Sequence, residues 1–405
     1  MRKICLLLVL CLVLSACSAF AEQTADVSDL IQQARAAMDA GDYETAVPLL
    51  QKAADLGDAT GQLWLGNCYG EGQGVQQDKK EAVKYYQLAA DQGNIAAKYN
   101  LAYCYLDGKG VQQDTEKAVE LFTSCADQGD AQALYALGYS YFYGDSLEQD
   151  YEKARQYFQL AADQEYVPAC YYLGWCLENG LGAEQDLKKA ADYYLLAAEQ
   201  GLDVAQYQLG VLYQFGEGVE QDYEKAFHYY KLAAEQNHPE ALTAVGYFYS
   251  EGLGTQRNLD EMLKYYIRAS ELGEPMAQFN LGCCYRDGTG VEQDYGKMLE
   301  YYLLAVDQGN ADAQFNLGYA YYVGQGVEPD DNEAFRLYQL AADQGFPVAM
   351  FAVGDCYYLG RGVKKDLAKA AEWYLKSLDA GYEPDETDQA HMKEVSLPGG
   401  GSQTY

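Results

Sequence analysis

The chain has 405 residues, 49% of them hydrophobic, so it contains ample apolar material to bury a core. It carries 61 acidic and 28 basic residues, a net charge of −33, which argues against nucleic-acid binding because such binding depends on Lys and Arg that neutralise phosphates. The same acidity favours solubility and a basic partner, although many acidic proteins only have a solvated acidic face.

The first residues resemble an export signal. A basic start precedes the apolar run Ile4–Leu14, which is too short to span a bilayer as a stable helix. Leu14–Cys17 resembles a bacterial lipobox, in which the cysteine is lipidated and the chain is cut before it. On this interpretation 1–16 is the signal peptide and Cys17 is the lipidated residue. The alternative is cleavage by an ordinary signal peptidase after Ala21.

We favour the lipobox because Cys17 lies directly at the end of the apolar run. Several acyl chains on this residue would hold the protein firmly on a membrane surface, with 17–24 as a tether. The sequence therefore predicts an exported protein of the cell envelope, an outer-membrane or surface lipoprotein that faces the periplasm or the exterior. Without the lipobox, we expect a soluble exported form.

Residues 25–57 predict an N-terminal capping hairpin. A first helix is expected over 25–41, and 42–57 is in phase with the second half of every later unit. This hairpin lacks the glycine-rich loop that the later units share.

From residue 58 to 382 the sequence repeats every 36 residues. A small residue marks each copy, and the interval between markers never slips. The markers are Gly66, Ala102, Gly138, Gly174, Gly210, Gly246, Gly282, Gly318 and Gly354. A constant period of this length indicates a solenoid in place of separate globular domains.

Each copy predicts two helices. In the first, the residues five and one before the marker and three after it lie on one face, because they are four residues apart. A glycine six after the marker, such as Gly324, ends this helix in all nine copies. An Asp, or Asn258 in one copy, follows at position 12 and caps the second helix. An aromatic residue at position 20, such as Tyr338, fills space beside the small residues of the first helix.

This arrangement resembles the Sel-one-like repeat family, relatives of the tetratricopeptide repeats with a slightly longer loop. In one copy the resemblance is carried by Leu317, Gly318, Tyr321, Gly324–Val327, Asp330, Ala334, Tyr338, Ala341 and Ala342. It covers 25–382 and implies an all-α fold, a right-handed α–α superhelix of nine helical hairpins plus the capping hairpin. It also implies a scaffold or adaptor in protein complexes.

Four residues depart from the family pattern. Ser146 replaces the second loop glycine of one copy, and Leu177 replaces a tyrosine of another. Glu165 and Asn237 stand where other copies have a closing glycine. We expect these hairpins to curve differently. After the array, 383–405 predicts a short C-terminal cap, with a helix near Glu386–Val395, and a disordered tail.

The sequence shows no catalytic, cofactor-binding or metal-binding motif. None of the three histidines, His228, His238 and His391, pairs with another at metal-ligand spacing. Five of the eleven cysteines stand two residues after a marker, where other copies carry Leu or Phe, so this is a packing position. One disulfide remains open: Cys104 and Cys125 are nearly symmetric about their loop and could be bridged in an oxidising compartment.

By analogy with tetratricopeptide arrays, the first helices line a concave surface. The positions three before and one after the marker share a face, and the later one varies between copies, which suits a surface adapted to a partner. Tyr and Trp most often anchor binding hot spots. The predicted partner-binding residues are Tyr99, Tyr103, Tyr135, Tyr139, Tyr171, Trp175 and Tyr319. The alternative is an aromatic lining that only stiffens the coil.

The sequence thus predicts an exported scaffold, not an enzyme, that binds a protein or peptide, with a basic partner favoured. Two alternatives remain. One is a cell-envelope hydrolase of the secreted cysteine-rich repeat type, whose paired-cysteine spacing this chain does not match. The other is a purely structural surface protein.

Overall fold

Helices account for all the regular structure of residues 27–395, the part of the chain that the computed structural model describes. The chain divides into two units, one that ends at Leu196 and one that begins at Ala197. The predicted signal, the lipidation site Cys17 and the residues after 395 lie outside the described range.

The first unit contains α1 to α9 and most of α10, and the second contains the remainder. The helices are α1 (27–39), α2 (Tyr43–Asp55), α3 (Ala59–Glu71), α4 (Lys79–Asp91), α5 (Ile95–Asp107), α6 (Thr115–Ala126), α7 (Ala131–Tyr143), α8 (Tyr151–Ala162), α9 (Val167–Asn179), α10 (Leu187–Glu199), α11 (Asp203–Phe215), α12 (Tyr223–Glu235), α13 (Pro239–Glu251), α14 (Leu259–Glu271), α15 (Pro275–Asp287), α16 (Tyr295–Asp307), α17 (Ala311–Val323), α18 (Asp331–Asp343), α19 (Pro347–Leu359), α20 (Leu367–Asp379) and α21 (Glu386–Glu394).

The odd-numbered helices from α3 to α19 are the first helices of nine repeats, and the even-numbered helices from α4 to α20 are the second. Within each unit, consecutive helices pack side by side, as α3 does on α4 and α4 on α5. The predicted all-α solenoid of helical hairpins is therefore confirmed.

The helix ends lie where the repeat pattern predicts them. In each of the nine repeats, the glycine six after the marker ends the first helix with a left-handed backbone; Gly324, with φ of 77°, donates its N–H to the carbonyl of Ala320. The residue at position 12 caps the second helix: the Asp150 carboxylate accepts from the N–H of Lys153 at 3.0 Å. Each repeat thus fixes the length of both helices by local chemistry.

The marker is small because an aromatic ring of the second helix lies against it. A Cβ at Gly318 would stand 2.9 Å from Cδ1 and from Cε1 of Tyr338, closer than packed atoms approach. Where Ala102 is the marker, the buried aromatic partner in the same core cluster is Phe122. The small marker and the aromatic residue 20 positions later therefore indicate a close approach of the two helices, at a distance set by the aromatic ring.

The second glycine of the loop rests on the preceding hairpin. Gly326 has φ of 78°, and a Cβ there would lie 2.6 Å from the Cβ of Tyr295, at the start of α16. We call this contact the seam; it is formed by Gly74, Gly110, Gly182, Gly254, Gly290, Gly326 and Gly362. Only glycine combines this backbone conformation with so close an approach.

Glutamine pairs, each with one buried and one exposed side chain, join the two ends of four hairpins. The Gln92 side-chain amide donates to Oε1 of Gln62 at 2.7 Å, and Gln344 donates to Gln314 at 2.8 Å. The same pairing is repeated by Gln236 with Gln206 and by Gln308 with Gln278. Because the acceptor glutamines are buried, each pair satisfies an amide that would otherwise be costly to bury.

Two departures from the pattern keep the usual turn. Glu165 (φ 58°) and Asn237 (φ 66°) adopt the left-handed conformation that glycine takes in the other copies. Non-glycine residues rarely do so, and glutamate has no local hydrogen bond that favours it. The turn geometry is thus set by the hairpin, and Glu165 bears backbone strain.

The cysteines of residues 27–395 are all free thiols, so Cys104 and Cys125 are not bridged. The buried Sγ of Cys125 instead faces the carbonyl of Ile95 at 3.6 Å, and burial raises the pKa of this thiol to about 11. Cys68, Cys176, Cys284 and Cys356 are buried at the repeat position assigned to packing.

The last hairpin is covered by α21. Nδ1 of His391 lies 3.0 Å from a carboxylate oxygen of Asp355, and the ring of Tyr382 lies 4.8 Å from that of Phe351. Val395 is buried in the same cluster. Within 27–395, no helix has the length and apolar character needed to cross a bilayer.

Candidate functional site

The first helix of the second repeat, α5, presents two tyrosines one turn apart. The rings of Tyr99 and Tyr103 meet edge to face at 5.0 Å, and both contact the buried ring of Phe122, at 5.6 and 5.1 Å. Tyr99 is partly buried, whereas Tyr103 is 37% exposed. The core phenylalanine therefore supports a tyrosine that reaches solvent.

A larger cluster centres on Tyr172 of α9. Its ring lies 5.8 Å from Tyr135 and 5.7 Å from Tyr139, both on α7. Tyr143, at the end of α7 and 50% exposed, lies 4.5 Å from Tyr139 by ring centroid. The hydroxyls of Tyr143 and Tyr172 are 3.4 Å apart, within reach of a weak hydrogen bond. Contacts between side chains of two successive repeats thus hold these rings in place.

The cluster continues along α9. Tyr171 contacts Trp175 edge to face at 6.0 Å and also meets the ring of the fully buried Tyr194 at 5.7 Å. On the other side, Tyr166 lies 5.5 Å from Tyr135. Burial and then the charge of Tyr103 raise the pKa of Tyr166.

We call this region the aromatic surface. It consists of Tyr99, Tyr103, Tyr135, Tyr139, Tyr143, Tyr166, Tyr171, Tyr172 and Trp175. The six partner-binding residues predicted in the first unit all belong to it. Tyr319, the seventh, lies on α17 in the second unit and is 49% exposed.

Sequence reasoning missed Tyr143, Tyr166 and Tyr172. Tyr172 stands two residues before its marker, where seven other copies carry Asn, Ala or Gln and only the first has another aromatic, Trp64. An aromatic residue at a position that is otherwise small or polar could have indicated that Tyr172 belongs to the site. Tyr143 and Tyr166 had a weaker signal, because they stand at helix ends, Tyr143 as the last residue of α7 and Tyr166 as the residue before α9.

In two repeats, the tyrosine at the position after the marker is not needed to accept a hydrogen bond from the aromatic residue of the second helix. In four other repeats the tyrosine of the second helix donates its hydroxyl to the first helix, as Tyr230 does to Gln214 and Tyr374 to Asp355, both at 2.6 Å. The repeats of Tyr103 and Tyr139 have Phe122 and Phe158 there, so no acceptor is required.

The hydroxyls of Tyr99, Tyr135 and Tyr172 stay protonated at neutral pH. Burial is the first cause that raises the pKa values of Tyr99, Tyr135 and Tyr172. The rings can therefore offer both apolar faces and neutral hydrogen-bonding groups to a partner.

No cluster of three or more His, Cys, Asp or Glu residues that could hold a metal ion occurs within 27–395. Each histidine has a structural contact: His228 with the ring of Tyr229, His238 as the N-cap of α13, and His391 with Asp355.

The Sel1 repeat family model matches ten successive segments of the chain. They are 38–58, 59–94, 95–130, 131–166, 167–202, 203–238, 239–274, 275–310, 311–346 and 347–382. The last nine coincide with the nine predicted repeats, and the first falls in the capping hairpin.

Two solved structures are similar over most of the chain. One is c5321, a protective antigen of uropathogenic Escherichia coli strains with an SLR fold (28% identity, TM-score 0.63, 91% of this chain and 93% of that one). The other is a Sel1 repeat protein from Oxalobacter formigenes (33% identity, TM-score 0.57, 74% of this chain and 87% of that one). Among curated proteins, none matches the sequence.

Proposed function

Because the chain belongs to the Sel1 repeat family, whose solenoid fold is typical of protein–protein interaction scaffolds, we propose that it is an exported adaptor that binds a protein or peptide on the aromatic surface. The observation that carries this proposal is the exposure of Tyr103 and Tyr143 at the edge of a supported cluster of rings.

The physical argument concerns preorganisation. A side chain that is already held by its neighbours loses little conformational freedom when a partner binds, so more of the contact energy appears as affinity. The ring contacts of Tyr139 with Tyr143 and Tyr172 provide such support. Large exposed apolar patches on a folded protein mark interaction sites.

The charge of the chain favours a basic partner. With a net charge of −33, the protein attracts cations and basic segments over long range, which raises their association rate at low ionic strength. Raised salt concentration should therefore lower the association rate constant and change the dissociation rate constant less.

The proposal includes attachment to the cell envelope through lipid on Cys17. Support comes from the sequence alone: a short apolar run ends directly at a cysteine. Metabolic labelling with a palmitate analogue tests it, with Cys17→Ala as the variant. Label on the wild type but not on the variant supports the anchor; cleavage after Ala21 with no label overturns it.

The binding proposal is tested by capture from an envelope extract and quantitative mass spectrometry. A Tyr103→Ala, Tyr139→Ala, Trp175→Ala variant should lose the captured partner. The matched control is Leu88→Ala, Leu160→Ala, Leu196→Ala, which removes three exposed apolar side chains from one repeat position of the second helices in the same unit. Equal recovery by both variants would show that the aromatic surface is not the binding site.

Neither alternative function has a specific observation in its favour. The Sel1 repeat fold is generally a non-catalytic scaffold. A purely structural protein would tolerate the triple variant without any change in captured proteins.

A further inference from the structure

A cavity of about 260 Å³ lies in the first unit, beside the seam between the capping hairpin and the first repeat. Met38 and Asp39 line it from the end of α1, Tyr43 from the start of α2, and Trp64 and Asn67 from α3. It is smaller than the roughly 300–1,000 Å³ typical of small-molecule sites, so its size suits a single side chain.

Trp64 differs from the other two tryptophans of the chain. Trp175 contacts Tyr171, and Trp373 has the ammonium of Lys376 at 4.4 Å from its ring centroid. Trp64 is partly buried, yet within 27–395 its indole has no ring partner, no hydrogen bond and no cation over it. The cavity therefore contains an aromatic face without a polar or ring contact.

Asp39 supplies a negative charge to the same cavity. Its carboxylate forms no ion pair or hydrogen bond with any described residue, including Arg35, one helical turn before it. No Lys or Arg lines the cavity. Asn67 adds no competing charge, and its side-chain oxygen already accepts from the hydroxyl of Tyr86 at 2.9 Å.

The chain contains a filled version of this arrangement at its other end. On α20, Lys376 lies over the ring of Trp373 and pairs with the carboxylate of Glu372 at 2.8 Å. Tryptophan is the aromatic side chain that attracts cations most strongly. The cavity has the tryptophan and the carboxylate but lacks the cation.

We propose that this cavity binds the cationic side chain of a lysine or arginine, with the charged group over Trp64 and paired with Asp39. The inference deepens the proposed function, since the cation would belong to a basic partner segment. It is nevertheless tested with single amino-acid derivatives, so its failure and the failure of the aromatic surface are separate results.

The experiment uses the full chain labelled with 5-fluorotryptophan. Its three fluorine resonances, from Trp64, Trp175 and Trp373, are assigned with single Trp→Phe variants. The probes are N-acetyl-lysine methylamide, N-acetyl-arginine methylamide and the neutral, nearly isosteric N-acetyl-norleucine methylamide. We expect a saturable shift of the Trp64 resonance with a cationic probe and none with norleucine. Binding of only one cationic probe supports the proposal and identifies the preferred head group.

Asp39→Asn should weaken cation binding at least about threefold, the effect of losing one partly exposed charge pair. The matched control is Glu44→Gln, which removes the same charge from an exposed residue beside Tyr43 that does not line the cavity. Unchanged Trp175 and Trp373 resonances show that each variant remains folded. The proposal is overturned if Trp64 does not respond, if norleucine gives the same shift, or if Asp39→Asn binds as the wild type does.

Discussion

Gly210 lies directly beneath the ring of Tyr230, so that a Cβ on this glycine would stand 2.6 Å from Cδ1 and 2.7 Å from Cε1. The ring has little freedom to move away. It is buried, and its hydroxyl donates to Oε1 of Gln214 at 2.6 Å.

Gly210→Ala should therefore destabilise the protein. Overpacking of a core costs typically about 1–3 kcal/mol, while replacing a helical glycine with alanine returns about 1 kcal/mol, so we expect a net loss of up to about 2 kcal/mol. Adding Tyr230→Phe should recover part of the loss, because the ring can then shift without breaking a hydrogen bond. The double variant reproduces the natural pair of Ala102 and Phe122. Urea unfolding measures each effect.

Gly296→Ala is the control for this prediction. Gly296 is exposed in the first turn of α16, and a Cβ there meets only a carboxylate oxygen of Asp294, at 3.2 Å. This variant should gain up to about 1 kcal/mol. A stabilised Gly210→Ala protein would contradict the packing argument.

Replacing Glu165 with glycine should stabilise the protein. A left-handed backbone costs a non-glycine residue roughly 1–2 kcal/mol, and the extra freedom that glycine gives the unfolded chain offsets only part of this gain. We expect the thermal midpoint to rise. Asn237→Gly should gain less, because the Asn237 side chain accepts two hydrogen bonds from Arg268, at 2.6 and 3.0 Å.

The matched reverse substitution is Gly129→Ala. Gly129 has φ of 81° with no atom near its missing Cβ, so any loss comes from backbone conformation alone. If Glu165→Gly lowers the midpoint, the Glu165 side chain must make a stabilising contribution that outweighs its strained backbone.

The N-caps predict a pH-dependent stability. The N–H of Lys153 holds the pKa of Asp150 below its ordinary value. A carboxyl whose folded pKa is depressed stabilises the fold above its unfolded pKa of 3.8, and this contribution disappears as the pH falls through the folded pKa. Asp150→Ala should therefore cost more at pH 7 than at pH 2.5, as measured by urea midpoints.

Asn258 provides the uncharged comparison. Its side-chain oxygen accepts from the N–H groups of Asp260 and Glu261, both at 3.1 Å. Asn258→Ala should cost about 1 kcal/mol at either pH. Equal pH dependence of the two alanine variants would rule out the Asp150 carboxylate as the cause.

Thiol labelling should separate the cysteines by burial. Burial raises the pKa of Cys176 to about 12, so at pH 8 this thiol is protonated as well as inaccessible. Cys104 and Cys283 are partly exposed and should react before the buried thiols of residues 27–395 in the native protein. Timed alkylation followed by peptide mass spectrometry measures the order of these thiols, and Cys104→Ser with Cys283→Ser should remove their fast phase while Cys176→Ser leaves it unchanged. Early labelling of Cys176 would show that its hairpin opens readily.

The helical plan was predictable because each repeat encodes its own ends. Gly324 and Asp330 fix one helix stop and one helix start by local backbone chemistry, which needs no knowledge of the neighbouring repeats. The same holds for Gly318 and Tyr338, since a missing side chain and a large ring at constant spacing already indicate a close contact.

Contacts between repeats were harder to predict from the sequence. The ring of Tyr172 meets those of Tyr135 and Tyr139 only because of the offset between successive hairpins, which the sequence does not state. The pair of Gln62 and Gln92 could have been predicted, because glutamines recur 30 residues apart in four repeats. The partner-binding role of Tyr103 and its neighbours stays a prediction, since the ring contacts within the chain do not specify what the exposed faces of these side chains bind.

The seam has a consequence for how such a protein changes its length. Gly326 on Tyr295 and Gly362 on the start of α18 are the same contact made twice, and each involves only adjacent hairpins. A duplicated or deleted stretch of 36 residues would therefore rejoin through an interface that the chain already makes. Gene duplication can lengthen the array by whole repeats without new core chemistry, and selection can then alter the residues that face a partner.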